Sequence, residues 1–152
     1  MNDAQLAALL TGCAEAPYPG TWQDAPFAER TVEGVRYALV AVDPGVSALG
    51  MRREDGSLWL LPGWSTPRLV NTRAETFAAF TRLYEEAAAE ADAFEADSDE
   101  DDSDEAVDRA TAAGDALTDA LLAKFAALDP AAVADENSFW HIAAEELGYA
   151  IG

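Results

Sequence analysis

His141 is the only histidine of the chain, and Glu145 follows it one helical turn later, with Asp135 and Glu136 shortly before it. An imidazole and a carboxylate at that spacing are the least that general acid–base chemistry requires. The same residues also describe ordinary packing, because Trp140 and His141 stand beside a core-type Phe139. Ser47, Ser57, Ser65 and Ser138 lack the glycine-flanked elbow that exposes a serine nucleophile. Asp97, Asp99 and Asp101 alternate as a calcium loop begins, with Asp108 at the twelfth position. However, Asp102 occupies the place of the turn glycine, and the last ligand is ordinarily glutamate. Loose attraction of divalent cations is the expectation there. One cysteine, Cys13, and one histidine cannot close a zinc site. Gly45 to Gly50 lacks the lysine of a phosphate loop. No catalytic residue, metal or cofactor is assigned, and the chain reads as a binding protein.

The residues that do stand out are acidic. From Leu83 to Asp108 there are thirteen aspartates and glutamates and no lysine or arginine before Arg109. The formal net charge of the 152 residues is -20 and the isoelectric point is near 4.1. Such a surface repels nucleic acid and anionic membrane and attracts basic proteins. The run has a plain reading as a solubilising loop and a functional one as a surface for a cationic partner. On the second, Asp97, Asp99, Glu100, Asp101, Asp102, Asp104 and Glu105 are candidate partner-binding residues, whose charge would act on association rate and partner choice. Trp64, in the loop Pro62-Gly63-Trp64-Ser65-Thr66-Pro67, is the aromatic candidate for an interface. Trp59 and Trp140 read as core.

These residues need a scaffold, and the composition can supply one. Half the residues are hydrophobic, with four tryptophans, six phenylalanines and four tyrosines. That is enough for one packed domain of this length, and it excludes wholesale disorder. The lone Cys13 reads as a small core residue, which excludes an internal disulfide and fits a reducing compartment. No signal peptide or membrane span is evident, so a cytoplasmic protein is expected. Abundant alanine, and eight arginines against one lysine, hint at a high-GC bacterial genome.

Ala4 to Leu10 carries a short helical pattern, and prolines 17, 19 and 26 keep the following stretch irregular. A strand meander is expected over 35–71. Val35, Tyr37, Leu39 and Ala41 face one way, and Ala38, Val40 and Val42 the other. Val46 to Arg53, Ser57 to Leu61 and Arg68 to Asn71 supply further strands, with Asp55-Gly56 as a hairpin turn. Thr72 and Glu75 fit a capping box for a helix over 73–94 bearing Phe77, Phe80 and Tyr84. An acidic loop is expected at 95–106 and a second helix at 107–128, with Val107, Leu117, Leu121, Phe125 and Leu128 on its stripe. A last helix is expected at 138–147, buried through Phe139, Ile142 and Leu147 and stopped by Gly148.

Leu69-Val70-Asn71-Thr72, leading into Phe77 and Phe80, resembles the "VN, Ser or Thr, then Phe" signature of the SUKH superfamily, in its fourth family. The closing segment is similar too: Leu128-Asp129-Pro130-Ala131, then Ser138-Phe139-Trp140, then Glu145-Glu146-Leu147-Gly148. The resemblance runs from about Gly34 to the C-terminus. It implies an α+β fold, a single domain over 1–152 in which a short, twisted, antiparallel-dominated sheet of about four to six strands is flanked by helices. It also implies a bacterial immunity protein that neutralises a polymorphic toxin by binding it, often a nuclease or nucleic-acid deaminase. It implies no catalytic residue. The acidic insertion and short N-terminal region depart from the family pattern, so neither toxin type nor binding face carries over. Charge and resemblance together lead us to expect a basic toxin domain as partner. The alternative is an acidic adaptor, or DNA mimic, acting on a basic nucleic-acid-binding protein.

Overall fold

The period-two run beginning at Val35 forms the longest strand, β3 (Val35–Asp43), in the computed structural model, which describes residues 2–63, 65–97 and 103–151. In chain order the elements are α1 (Asp3–Leu10), β1 (Thr21–Trp22), β2 (Glu29–Val32), β3, β4 (Ser47–Arg52), β5 (Leu58–Pro62), β6 (Arg68–Asn71), α2 (Ala74–Asp97), α3 (Asp104–Leu128), a 3-10 turn (Pro130–Val133) and α4 (Phe139–Ile151). The class is α+β, with six antiparallel strands in one open sheet and four helices among the described residues. The chain forms two compact units, residues 1–81 and 82–152.

In the first unit the strand order is β1-β3-β4-β5-β6, and β2 pairs with the earlier half of β3. The hydrophobic pattern carries the meander, but β1 and β2 arise where only irregular chain is expected. Glu29, Arg30 and Thr31 are all exposed, so β2 shows no apolar alternation to read. Its link to β3 turns at Glu33 (φ 53) and Gly34 (φ 82), the left-handed pair that a two-residue hairpin needs. A bulge between Leu39 and Ala41 changes the expected facing of β3. Because one extra residue shifts everything after it to the opposite side, Val42 joins Tyr37, Ala48 and Leu61, with Val32, Val35, Leu39 and Trp59 packed around them. The other face carries Ala38 opposite Met51 and Ala41 opposite Leu49, all buried. Trp22 meets Phe77 with ring centroids 6.0 Å apart. Gly50 is required where Tyr37 and Leu61 close over the sheet, since a Cβ there would sit 2.9 Å from each. Cys13 is buried and unbridged, and Trp59 is half-buried.

Helix α1 is tied to the sheet by its first residue. Asp3 Oδ2 accepts from the Phe27 amide at 3.0 Å, and Asp3 pairs with Arg53, whose Nε reaches Glu29 at 2.9 Å. The Arg53 guanidinium, and then the Phe27 amide, hold the Asp3 carboxyl below its ordinary 3.8. A carboxyl depressed in the folded state stabilises fully above its unfolded pKa, and that contribution is lost as pH falls through the folded one. The advantage of the wild-type chain over Asp3→Asn, read from urea midpoints, should therefore be present at neutral pH and shrink as pH falls below 3.8. A gap independent of pH would show that the carboxylate charge plays no part.

The second unit is helical. Helix α2 starts within residues 1–81, at Ala74, one residue later than the Thr72–Glu75 box suggests, and runs on to Asp97; the Arg73 carbonyl accepts from the Phe77 amide at 3.3 Å. Its later turns bury Ala87 and Ala91. Trp140, fully buried, centres the unit, its ring 5.3 Å from Phe125, 5.2 Å from Phe139 and 6.2 Å from Tyr84. Helix α4 buries Trp140, Ala143, Ala144 and Gly148 and leaves Ile142 exposed, so its core face is rotated from the expected Phe139–Ile142–Leu147 stripe. Val107 and Leu128 of α3 are likewise exposed. Gly148 does not stop the helix, which continues to Ile151. It lies instead where α4 crosses α3: a Cβ on Gly114 would fall on the Gly148 carbonyl oxygen, and one on Gly148 would fall on Thr118 Oγ1. The Thr118 hydroxyl donates to the Ala144 carbonyl at 3.0 Å, across the same crossing. Among the described residues no helix is long and apolar enough to cross a membrane.

Backbone atoms cannot move aside as a flexible side chain can, so overpacking here should be costly. Gly114→Ala and Gly148→Ala are each expected to destabilise the protein by about 1–3 kcal/mol in urea denaturation. Gly12→Ala, at a position with nothing within 4 Å of the added carbon, serves as the control and should change stability little.

Candidate partner-binding surfaces

Acidic residues are not spread evenly. Residues 1–81 carry nine acidic and six basic side chains, whereas residues 82–152 carry twenty and three. The helical unit therefore holds nearly all of the net negative charge. The field that a charged partner meets is set mainly by that unit.

The expected acidic loop is shorter than its composition suggests. Helix α2 continues through Asp97 and α3 already begins at Asp104, so residues 95–97 and 104–106 are helical. Ser103 caps α3, its hydroxyl accepting from the Ala106 amide at 3.2 Å. Asp104 and Glu105 follow in the first turn, both exposed. Negative charge there complements the positive end of the helix dipole, which helps explain why a run of like charges is helical at all. Asp99, Glu100, Asp101, Asp102 and Trp64 lie outside the described residues, as does the side chain of Asp97. The structure thus places Asp104 and Glu105 next to each other in the first turn of α3.

In the sheet unit, an open cleft of about 740 Å³ lies at the end of the sheet. Arg30 and Val32 of β2, Asp43 and Pro44 at the end of β3, and Leu61 and Pro62 of β5 contribute to its lining. Gly63 and Ser65, the chain neighbours of Trp64, line it as well. Ser47 also reaches the cleft, and its hydroxyl lies 2.9 Å from that of Tyr18. Burial pushes the Tyr18 phenol above its ordinary pKa of 10.0, so it remains a neutral hydrogen-bonding group. The lining offers apolar contact with one cation and two carboxylates, Glu33 and Asp43, rather than a reactive centre.

His141 is half-buried on α4, its Nδ1 3.0 Å from Glu145 Oε1 but outside hydrogen-bonding geometry. Asp135, shortly before it in sequence, accepts from the Asn137 amide at 2.8 Å. Among the described residues no cluster of three or more histidine, cysteine, aspartate or glutamate side chains could hold a metal ion. Ile142, expected in the core, is exposed on α4, and so is Tyr149. The small buried residues Ala143, Ala144 and Gly148 were the signal that the core face lies elsewhere on that helix.

The antiparallel sheet of the first unit carries little net charge, and the helical unit is strongly anionic. The family model for the SUKH-4 immunity protein matches residues 22–146, and the chain belongs to that family. The role that follows is that of a bacterial immunity protein, an inhibitor that binds a toxin. No curated protein and no solved structure matches the chain.

The α3 cap is the local device that presents Asp104 and Glu105. Ser103→Ala should cost about 1 kcal/mol of stability. It should also speed amide hydrogen exchange in the first turn of α3, while exchange at Trp140 stays unchanged.

Proposed function

We propose that this immunity protein neutralises a cationic, nucleic-acid-targeting toxin by direct binding, with the anionic helical unit drawing the toxin in. The observation that carries this reading is the charge partition: twenty acidic against three basic residues in 82–152. A toxin domain that grips phosphates must present cationic groups, and an anionic protein surface competes for those groups. Neutralisation then needs no chemistry on the toxin, only occupancy of its working face. Asp104 and Glu105, with Asp97, Asp99, Glu100, Asp101 and Asp102, are the residues proposed to dominate the approach. Trp64, beside the cleft lining in sequence, is proposed as an apolar contact.

The test is binding to the toxin encoded by the neighbouring reading frame. A tight stoichiometric complex is expected. Changing the seven acidic residues to Asn or Gln should slow association by about tenfold at low ionic strength. The difference should fade at high salt, where the Debye length falls to about 3 Å. Equal rates for variant and wild type at low salt would reduce the acidic run to a solubilising role. Capture of a housekeeping nucleic-acid-binding protein, with no affinity for any toxin, would favour the adaptor reading instead.

A further inference from the structure

An α-helix advances 100° per residue, and the buried residues Trp140, Ala143, Ala144 and Gly148 define one side of α4. Ile142 and Tyr149 lie on the opposite side, two turns and about 10 Å apart. They are 40% and 71% exposed, so they occupy the part of an amphipathic helix where polar side chains belong. Glu145 and Glu146 stand between them along the helix and flank them around it. Two apolar side chains framed by carboxylates have the layout of an interface centre with a polar rim. Tyrosine is among the residues that most often anchor such centres.

The charge around this stripe restricts what can cover it. A second copy of the chain would bring another unit of twenty acidic and three basic residues against the first, and an anionic membrane would be repelled in the same way. We infer that the outward face of α4, centred on Ile142 and Tyr149 and rimmed by Glu145 and Glu146, is a docking surface for a basic protein face that carries apolar side chains among its lysines and arginines. This rests on the toxin-binding role proposed above and assigns it a specific contact: the occupant is the toxin. Long-range charge would bring the toxin in, and the Ile142–Tyr149 pair would hold it.

The experiment measures association and dissociation rates of the full chain with the toxin domain from the neighbouring reading frame. Ile142→Ala/Tyr149→Ala removes two exposed side chains, and unchanged urea midpoints would show that the fold survives. The double variant is expected to weaken binding at least about tenfold, chiefly through faster dissociation. Glu145→Gln/Glu146→Gln is expected to slow association at low salt while changing dissociation little. If wild type binds and the double variant binds within twofold of it, the docking surface is overturned while the toxin-binding role stands. If wild type binds no toxin, that role falls and the docking surface falls with it. If the double variant lowers the molecular mass of the free protein in sedimentation, the face joins copies of this chain and the assignment to a toxin is wrong.

Discussion

Like charges within residues 82–152 repel one another, and three basic residues cannot offset twenty acidic ones. Cohesion of the helical unit must therefore come mainly from contacts other than ion pairs. The structure supplies them through close backbone approach and aromatic packing. Gly114 and Gly148 let α3 and α4 meet with no room for a side chain, and Thr118 bonds across the crossing. Buried alanines on α2 and α4 keep the helices close around Trp140. Dispersion contacts accumulate at such short range, while most of the described acidic side chains of the unit are exposed, where screening weakens their repulsion.

The sheet unit solves a different problem. Its charge is nearly balanced, so ion pairs can tie its parts together, and Asp3–Arg53–Glu29 joins α1, the turn after β4, and β2. Its difficulty is a sheet with apolar residues on both faces. The bulge in β3 sends Val42 to the Tyr37 side while Ala38, Val40 and Ala41 stay buried. Gly50 then lets Tyr37 and Leu61 cover the middle of that side. One unit is thus built on tightly apposed backbone and the other on register.

How much of this was legible depends on which physical signal a segment carries. Strand β6 lies at Arg68–Asn71, where the pattern places it, because Val70 and Asn71 turn inward beside a proline boundary. Strand β2 carried no alternating signal, since pairing with β3 makes it a strand while Glu29, Arg30 and Thr31 face water. The core face of α4 does not follow its apolar stripe: at the close helix crossing Trp140 is buried beside the small Ala143, Ala144 and Gly148, and Ile142 is left outside. Acidic composition suggested a loop from 95 to 106, yet helix dipole and cap override it at Asp104 and Glu105. Of the candidate site, charge was readable from sequence, whereas the apolar anchors became visible only once the helix was oriented.

That ordering bears on how an inhibitor of this kind can be both fast and selective. Charge acts over a Debye length and is indifferent to detail, so by itself it would admit many basic proteins. Selection must come from short-range fit, where a mismatched apolar contact or an unpaired buried charge costs several times the thermal energy. A unit whose packing does not rest on its exposed carboxylates is free to vary those to suit a partner, because changing an exposed acid leaves the Gly114–Gly148 crossing and the Trp140 packing untouched. Separating the residues that hold the helices together from those that face outward lets the outer surface change with the toxin while the fold stays constant.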